Sequence, residues 1–186
     1  TLIRKGFRVA VCEQLEQPAE AKKRGAKSVV KRGVVRLVTP GTLTEDSLLD
    51  ARKNNYLAAY SEVRDEAAFA WVDISTGELF VEKCTKHSLG PTLARVSPSE
   101  VLAAPTVLES LRDVVEESGA VLSPLSRASF DSNGAAKRLC VLYGVKSLDG
   151  FGQFGLAELS ALGAVVEYLD LTQKGKLVSL RPPVRA

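Results

Sequence analysis

Four groups of residues have types and spacings that could do chemistry. The first is a run of cations: Lys22, Lys23, Arg24, Lys27, Lys31, Arg32 and Arg36 lie within fifteen residues. Residues 1–41 hold ten basic side chains against three acidic ones, a net +7, and the remainder holds fifteen against nineteen, which recovers the overall +3. A basic segment joined to a mildly acidic one points to a polyanion contact confined to the first. The plain alternative is the solvated face of a helix and an edge strand. The second group is Gly150, Gly152 and Gly155, spaced G-x-G-x-x-G, with Asp170 twenty residues after the first glycine. A dinucleotide loop needs a strand just before its glycines, so that the loop aims the pyrophosphate at a helix N-terminus. Here a helical pattern precedes them and Asp170 ends the following helix, so a structural turn is expected. The third group is His87, the single histidine, and Cys12, Cys84 and Cys140. His87 has no nucleophile pattern beside it. The cysteines are too far apart for a disulfide framework or a metal cluster, and Cys12 reads as packing in an apolar strand. No phosphate-binding G-x-x-x-x-G-K-S/T loop occurs.

Asp73 is a sharper candidate. It ends an apolar strand and is followed by Ser75-Thr76-Gly77. This resembles the first strand of ribonuclease H-like nucleases and of sugar kinases, where converging carboxylates hold two Mg²⁺ ions. The partner carboxylates should come from a helix and a second central strand. Glu100, Asp131 and Asp149 are not placed there by pattern. A strand-end Asp otherwise forms a turn by accepting backbone N–H bonds.

The elements that would position these groups follow from periodicity. Phe7, Val9 and Val11 alternate on one face of a strand over 7–13. Pro18 opens a short helix over 19–24, and Gly25 ends it. The β-branched run 29–38 reads as a second strand, with Gly33 as a bulge and with Arg32 and Arg36 on one face, opposite Lys31. Thr39-Pro40-Gly41-Thr42 is a turn at a domain edge, and Thr44 caps a short helix over 45–49. Strands over 56–62, 67–74 and 78–84 make a meander. In the middle one Phe69 and Trp71 share one face, and Ala68, Ala70, Val72 and Ile74 share the other. A strand apolar on both faces requires helices above and below its sheet. Helical patterns over 87–96, 106–118, 131–143 and 156–171 supply them, with short strands at 100–103 and 120–122. In the third helix Ala135, Leu139, Leu142 and Tyr143 should face the sheet, and Lys137, Arg138 and Val141 should point away. The result is an α/β chain with a mixed sheet flanked by helices. The tail beyond residue 175 reads as a connection. The absence of methionine, including at position 1, suggests an excerpt from a longer protein. With no membrane-length apolar run and no signal peptide, a reducing cytoplasmic setting is expected.

Ordered blocks carry a family resemblance. They are Gly6-Phe7-Arg8-Val9-Ala10-Val11-Cys12-Glu13-Gln14, Pro18-Ala19-Glu20-Ala21-Lys22 and Val34-Val35-Arg36-Leu37-Val38-Thr39-Pro40-Gly41-Thr42. Asn54-Asn55-Tyr56-Leu57-Ala58-Ala59, Asp73-Ile74-Ser75-Thr76-Gly77 and Leu148-Asp149-Gly150-Phe151-Gly152 continue them. The chain thus resembles the MutS family of bacterial DNA mismatch repair proteins along essentially its whole length. The resemblance implies that residues 1–41 are the C-terminal part of a mixed α/β mismatch-recognition domain and that 42–54 are a linker. It implies that 55–172 are a ribonuclease H-like connector domain and that 173–186 begin the link to a core domain. The partners implied are mismatched double-stranded DNA, MutL and, for the full-length parent, a second copy. ATP and Mg²⁺ belong to the parent, so no catalysis and no cofactor are expected in this segment. Lys22, Lys23, Arg24, Lys27, Lys31, Arg32 and Arg36 become phosphate contacts, and Lys137 and Arg138 a surface toward MutL. The alternative is a metal-dependent nuclease or phosphotransferase of ribonuclease H-like fold, which would place a divalent metal at Asp73.

Overall fold

A computed structural model describes residues 2–25, 28–43, 55–174 and 179–186. The helix expected over 45–49, most of the linker expected over 42–54, and Lys27 lie outside the described residues. The first part of the chain is a two-stranded antiparallel ribbon, β1 (Val9–Gln14) against β2 (Arg32–Val38), with α1 (Pro18–Lys23) in the connection. Phe7 precedes the first strand and is exposed. The second strand is shorter than the run 29–38. Leu15 N–H still bonds the Lys31 carbonyl, but the Lys31 N–H turns to the Glu16 carboxylate at 2.7 Å. The chain therefore leaves the ladder before Lys31, and Val29 is exposed. The bulge sits at Val35, not at Gly33: Val11 pairs with Arg36 and Cys12 with Val34, which leaves Val35 without a partner. Gly33 serves a different purpose. A Cβ there would lie 2.8 Å from Leu15 Cδ1, so its bareness admits the leucine.

The rest of the chain builds one mixed sheet. β3 (Tyr56–Val63), β4 (Glu66–Asp73) and β5 (Glu78–Cys84) form the antiparallel meander. α2 (Lys86–Val96), β6 (Glu100–Ala103), α3 (Leu108–Glu117) and β7 (Val121–Pro124) follow, then α4 (Ser132–Tyr143), α5 (Leu156–Gln173) and β8 (Val184–Arg185). The strand order is β7-β6-β3-β4-β5-β8. β6 is parallel to β3, β7 to β6 and β8 to β5, so β4 alone runs against the rest. The helices start where local chemistry allows. Thr85 and Ser88 exchange side-chain-to-N–H bonds at 2.8 and 3.2 Å ahead of α2, and the Asp131 carboxylate accepts the Gly134 N–H at 2.7 Å ahead of α4.

The double-faced apolar pattern of β4 is realised as two cores. Phe69 and Trp71 pack with Tyr60, Leu89, Leu93, Leu111 and Val115 under α2 and α3. Ala68, Ala70 and Val72 pack with Leu57, Leu102, Leu162 and Leu169 under α5. α5 is apolar around nearly its whole circumference because it is sandwiched, with the sheet on one side and α4 on the other. The apolar stripe of α4 therefore meets mainly α5 and not, as its amphipathicity suggested, the sheet. The tail, which reads in sequence as a connection, carries an element of its own. Arg181 N–H bonds the Gly77 carbonyl at 2.8 Å, Tyr143 Oη donates to the Arg181 carbonyl at 2.8 Å, and Arg185 pairs with the buried Glu158 at 2.9 Å.

Candidate nucleic-acid interface

The cations of the ribbon are not equivalent once the chain folds. Arg24, which caps α1, turns back onto Glu16 through a fork of two bonds at 2.5 and 2.6 Å. Glu16 also accepts the Lys31 backbone N–H. The Arg24 hydrogen bond first, then the Lys31 N–H, holds the Glu16 carboxyl at about 2, well below the ordinary 4.5. Arg24 thus fastens the connection between β1 and β2 and presents a neutralised charge. Glu16 was missed in sequence. Its only signal was an acidic residue between two elements in an otherwise basic segment.

The bulge at Val35 separates the two arginines of β2. Arg32 pairs with Gln14 and Arg36 with Val11. Residues paired across an antiparallel ladder share a face, and positions 11 and 14 lie on opposite faces of β1. Arg32 and Arg36 therefore point to opposite faces, against the expectation from simple alternation. Arg36 is half-buried and already engaged. Lys22 and Lys23 are exposed in the last turn of α1, and Lys31 and Arg32 are exposed where β2 begins. These four remain as the accessible cations of the ribbon among the described candidates. Cys12, expected as packing, is exposed on the same ribbon.

The remaining motifs are absorbed by structure. Asp73 accepts the Ser75 N–H at 2.8 Å and the Ser75 hydroxyl at 2.5 Å, which makes it a turn-former. It lies opposite Tyr56, the first residue of β3, at the edge where the parallel strands begin. Ligand sites of open α/β sheets lie at the other edge. Glu100 pairs with Leu57 of the α5-side core, while Asp73 follows Phe69 and Trp71 on the other face. The two carboxylates therefore cannot share a metal. Asp131 caps a helix and Asp149 accepts from Ser147 Oγ at 2.6 Å. Among the described residues no group of three His, Cys, Asp or Glu could hold a metal ion. Gly150, Gly152 and Gly155 lie in the loop between α4 and α5, where Gly155 N–H donates to Glu158 Oε2 at 2.7 Å. His87 is an exposed residue in the first turn of α2. No helix among the described residues is long and apolar enough to cross a membrane.

On α4 the two candidate partner residues also divide. Lys137 is exposed, and Val141 one turn on is 82% exposed. Arg138 instead reaches α5, donating to the Gly163 carbonyl at 3.1 Å and pairing with Glu167 at 2.5 Å. This departs from the outward orientation expected of it. Gly163 is the reason: with no side chain there, α4 and α5 approach closely enough for the guanidinium to bridge them.

The chain matches two family models, one described as MutS domain I over residues 1–47 and one as MutS domain II over residues 55–181. It is 66% identical over 185 residues to the DNA mismatch repair protein MutS of Cereibacter sphaeroides, and 63% identical over 186 residues to that of Ruegeria pomeroyi. The identity to the MutS of Paracoccus denitrificans is 60% over 185 residues. Each alignment takes in the whole of this chain and 21% of the relative's length. On these matches, the chain belongs to the MutS family of DNA mismatch repair proteins.

Proposed function

We propose that residues 1–41 close a mismatch-recognition domain and supply phosphate contacts to mismatched double-stranded DNA through Lys22, Lys23, Lys31 and Arg32. Residues 55–172 act as a connector of ribonuclease H-like fold, relaying between DNA-binding and ATPase domains and offering MutL a surface on α4. ATP, Mg²⁺ and dimerisation belong to the full-length protein, and this segment performs no catalysis of its own. The observation that carries the reading is the exposed cationic rim of a ribbon that matches MutS domain I. The strand order β5-β4-β3-β6-β7, with β4 antiparallel, supports the ribonuclease H-like assignment. Exposed Lys137 and Val141 support the MutL surface.

Phosphate contacts add affinity without reading sequence, and each contributes about −0.9 to the slope of log K against log salt. Lys22→Glu with Lys23→Glu should flatten that slope by about 1.8 if both residues meet phosphates. The loss should be equal on matched and mismatched duplex. An unchanged slope would refute the ribbon as an interface, and Mg²⁺-dependent cleavage of the DNA would refute the non-catalytic reading. For the partner surface, Lys137→Glu in the full-length protein should slow MutL association at low salt, since rim charges act mainly on association rates. Unaltered association would remove α4 from that role.

A further inference from the structure

The joint between ribbon and sheet holds a carboxylate with no part in the preceding reading. Glu100, the first residue of β6, is fully buried. Its Oε2 accepts the Thr39 hydroxyl at 2.6 Å and the Gly41 N–H at 3.0 Å. Its Oε1 accepts the Ser123 hydroxyl at 2.6 Å and the Tyr168 hydroxyl at 2.8 Å. The first two donors belong to the segment leaving β2; the last two belong to β7 and α5. The turn is also closed on itself, since Thr42 Oγ1 accepts the Thr39 N–H at 2.9 Å. Asn55 grips its other side, donating through Nδ2 to the carbonyls of Pro40 and Leu43, each at 3.0 Å. There is no slack in the packing. A Cβ on Gly41 would lie 2.8 Å from Leu57 Cδ1 and 2.9 Å from Glu100 Cβ.

The two oxygens of Glu100 divide the labour. One holds the connector, the other holds the incoming chain. Drawing the turn away would strip Oε2 of both its donors and leave half a carboxylate unmatched in a buried site, which is costly until water enters. Such a contact does not stretch gradually; it is either closed or open. We propose that Glu100 is a latch that makes the Thr39–Thr42 turn part of the connector's body. Ribbon and sheet then move together, and independent motion requires the latch to open as a unit. The proposal rests on the joint's contacts and not on DNA binding.

Amide hydrogen exchange on the 186-residue chain tests it. Thr39→Val keeps the shape of the side chain and removes its hydroxyl donor. It should speed exchange at Gly41 and Thr42 tenfold or more while amides of β4 and α5 keep their rates. Glu100→Gln should give the same selective pattern, because its amide nitrogen donates and cannot accept, which leaves one acceptor oxygen where four donors had two. Unchanged exchange at Gly41 in Thr39→Val would overturn the latch. So would a uniform acceleration across β4 and α5, which would make Glu100 an ordinary core residue.

Discussion

Gly163→Ala should destabilise the protein although alanine is the better helix former. A Cβ at position 163 would stand 2.2 Å from Ala135 Cβ and 2.9 Å from its Cα. Carbon atoms pack best about 3.5–4.0 Å apart, so α4 and α5 would have to part by more than about 1 Å. Ala135 cannot yield by changing rotamer, because the atoms in the way are its Cβ and backbone. Overpacking of this kind costs about 1–3 kcal/mol. The gain in helix propensity on replacing glycine is about 1 kcal/mol. The separation would also strain the Arg138 bond to the Gly163 carbonyl, so the cost belongs at the upper end of its range. A net loss of about 1–2 kcal/mol follows. For a chain of this size that lowers the melting temperature by about 2–8 °C. Thermal unfolding followed by circular dichroism measures it. Adding Ala135→Gly moves one methyl from α4 to α5, and the pair should recover most of the loss. A Gly163→Ala protein that melts at or above the wild-type temperature would refute the close-crossing argument. So would a double variant that melts lower than Gly163→Ala alone.

Gly77 has φ +75° and its Cβ would lie 2.3 Å from the Ser179 carbonyl oxygen, so Gly77→Ala should release the docked tail. Limited proteolysis should then cut near residue 180 much faster, and an unchanged digestion would refute the clamp. Glu16 titrates lower in the folded chain than its ordinary 4.5, so its pairing with Arg24 stabilises the ribbon above that pH and is lost as pH falls toward about 2. An NMR titration should place the Glu16 carboxyl midpoint near 2, and a midpoint near 4.5 would show the fork to be open in solution. Burial pushes the Cys84 thiol up to about 12, whereas Cys12 is exposed. A thiol reagent at pH 8 should label Cys12 promptly and Cys84 only on unfolding, and prompt labelling of both would contradict the packing of β5.

Much of the fold was legible along the chain because burial leaves a period in the side chains. The run from Ala68 to Val72 announces a strand with two dry faces, and both cores form on it as the alternation requires. The meander and the helical patterns of α3 and α5 are local in the same sense. The candidate interface was legible only as a count of cations. Counting does not show that Glu16, eight residues from Arg24, neutralises it, or that Glu167 draws Arg138 inward across 29 positions.

Periodicity tells a residue which side it faces on its own element; it does not say what lies across. The faces of Arg32 and Arg36 depend on one unpaired residue at Val35, and a bulge is set by how two strands register, not by the sequence of either. Glu100 looked in sequence like a polar start to a short strand. Its donors come from positions 39, 41, 123 and 168, which meet only when the ribbon, two strands and α5 have packed. The sequence determined the meander, the helices around it, the double-sided sheet and the family, but not the tail strand β8. Tertiary packing decided which charges remain exposed and which are buried into joints, because the energy of a charge depends on its neighbours in space, and those are chosen by the fold as a whole.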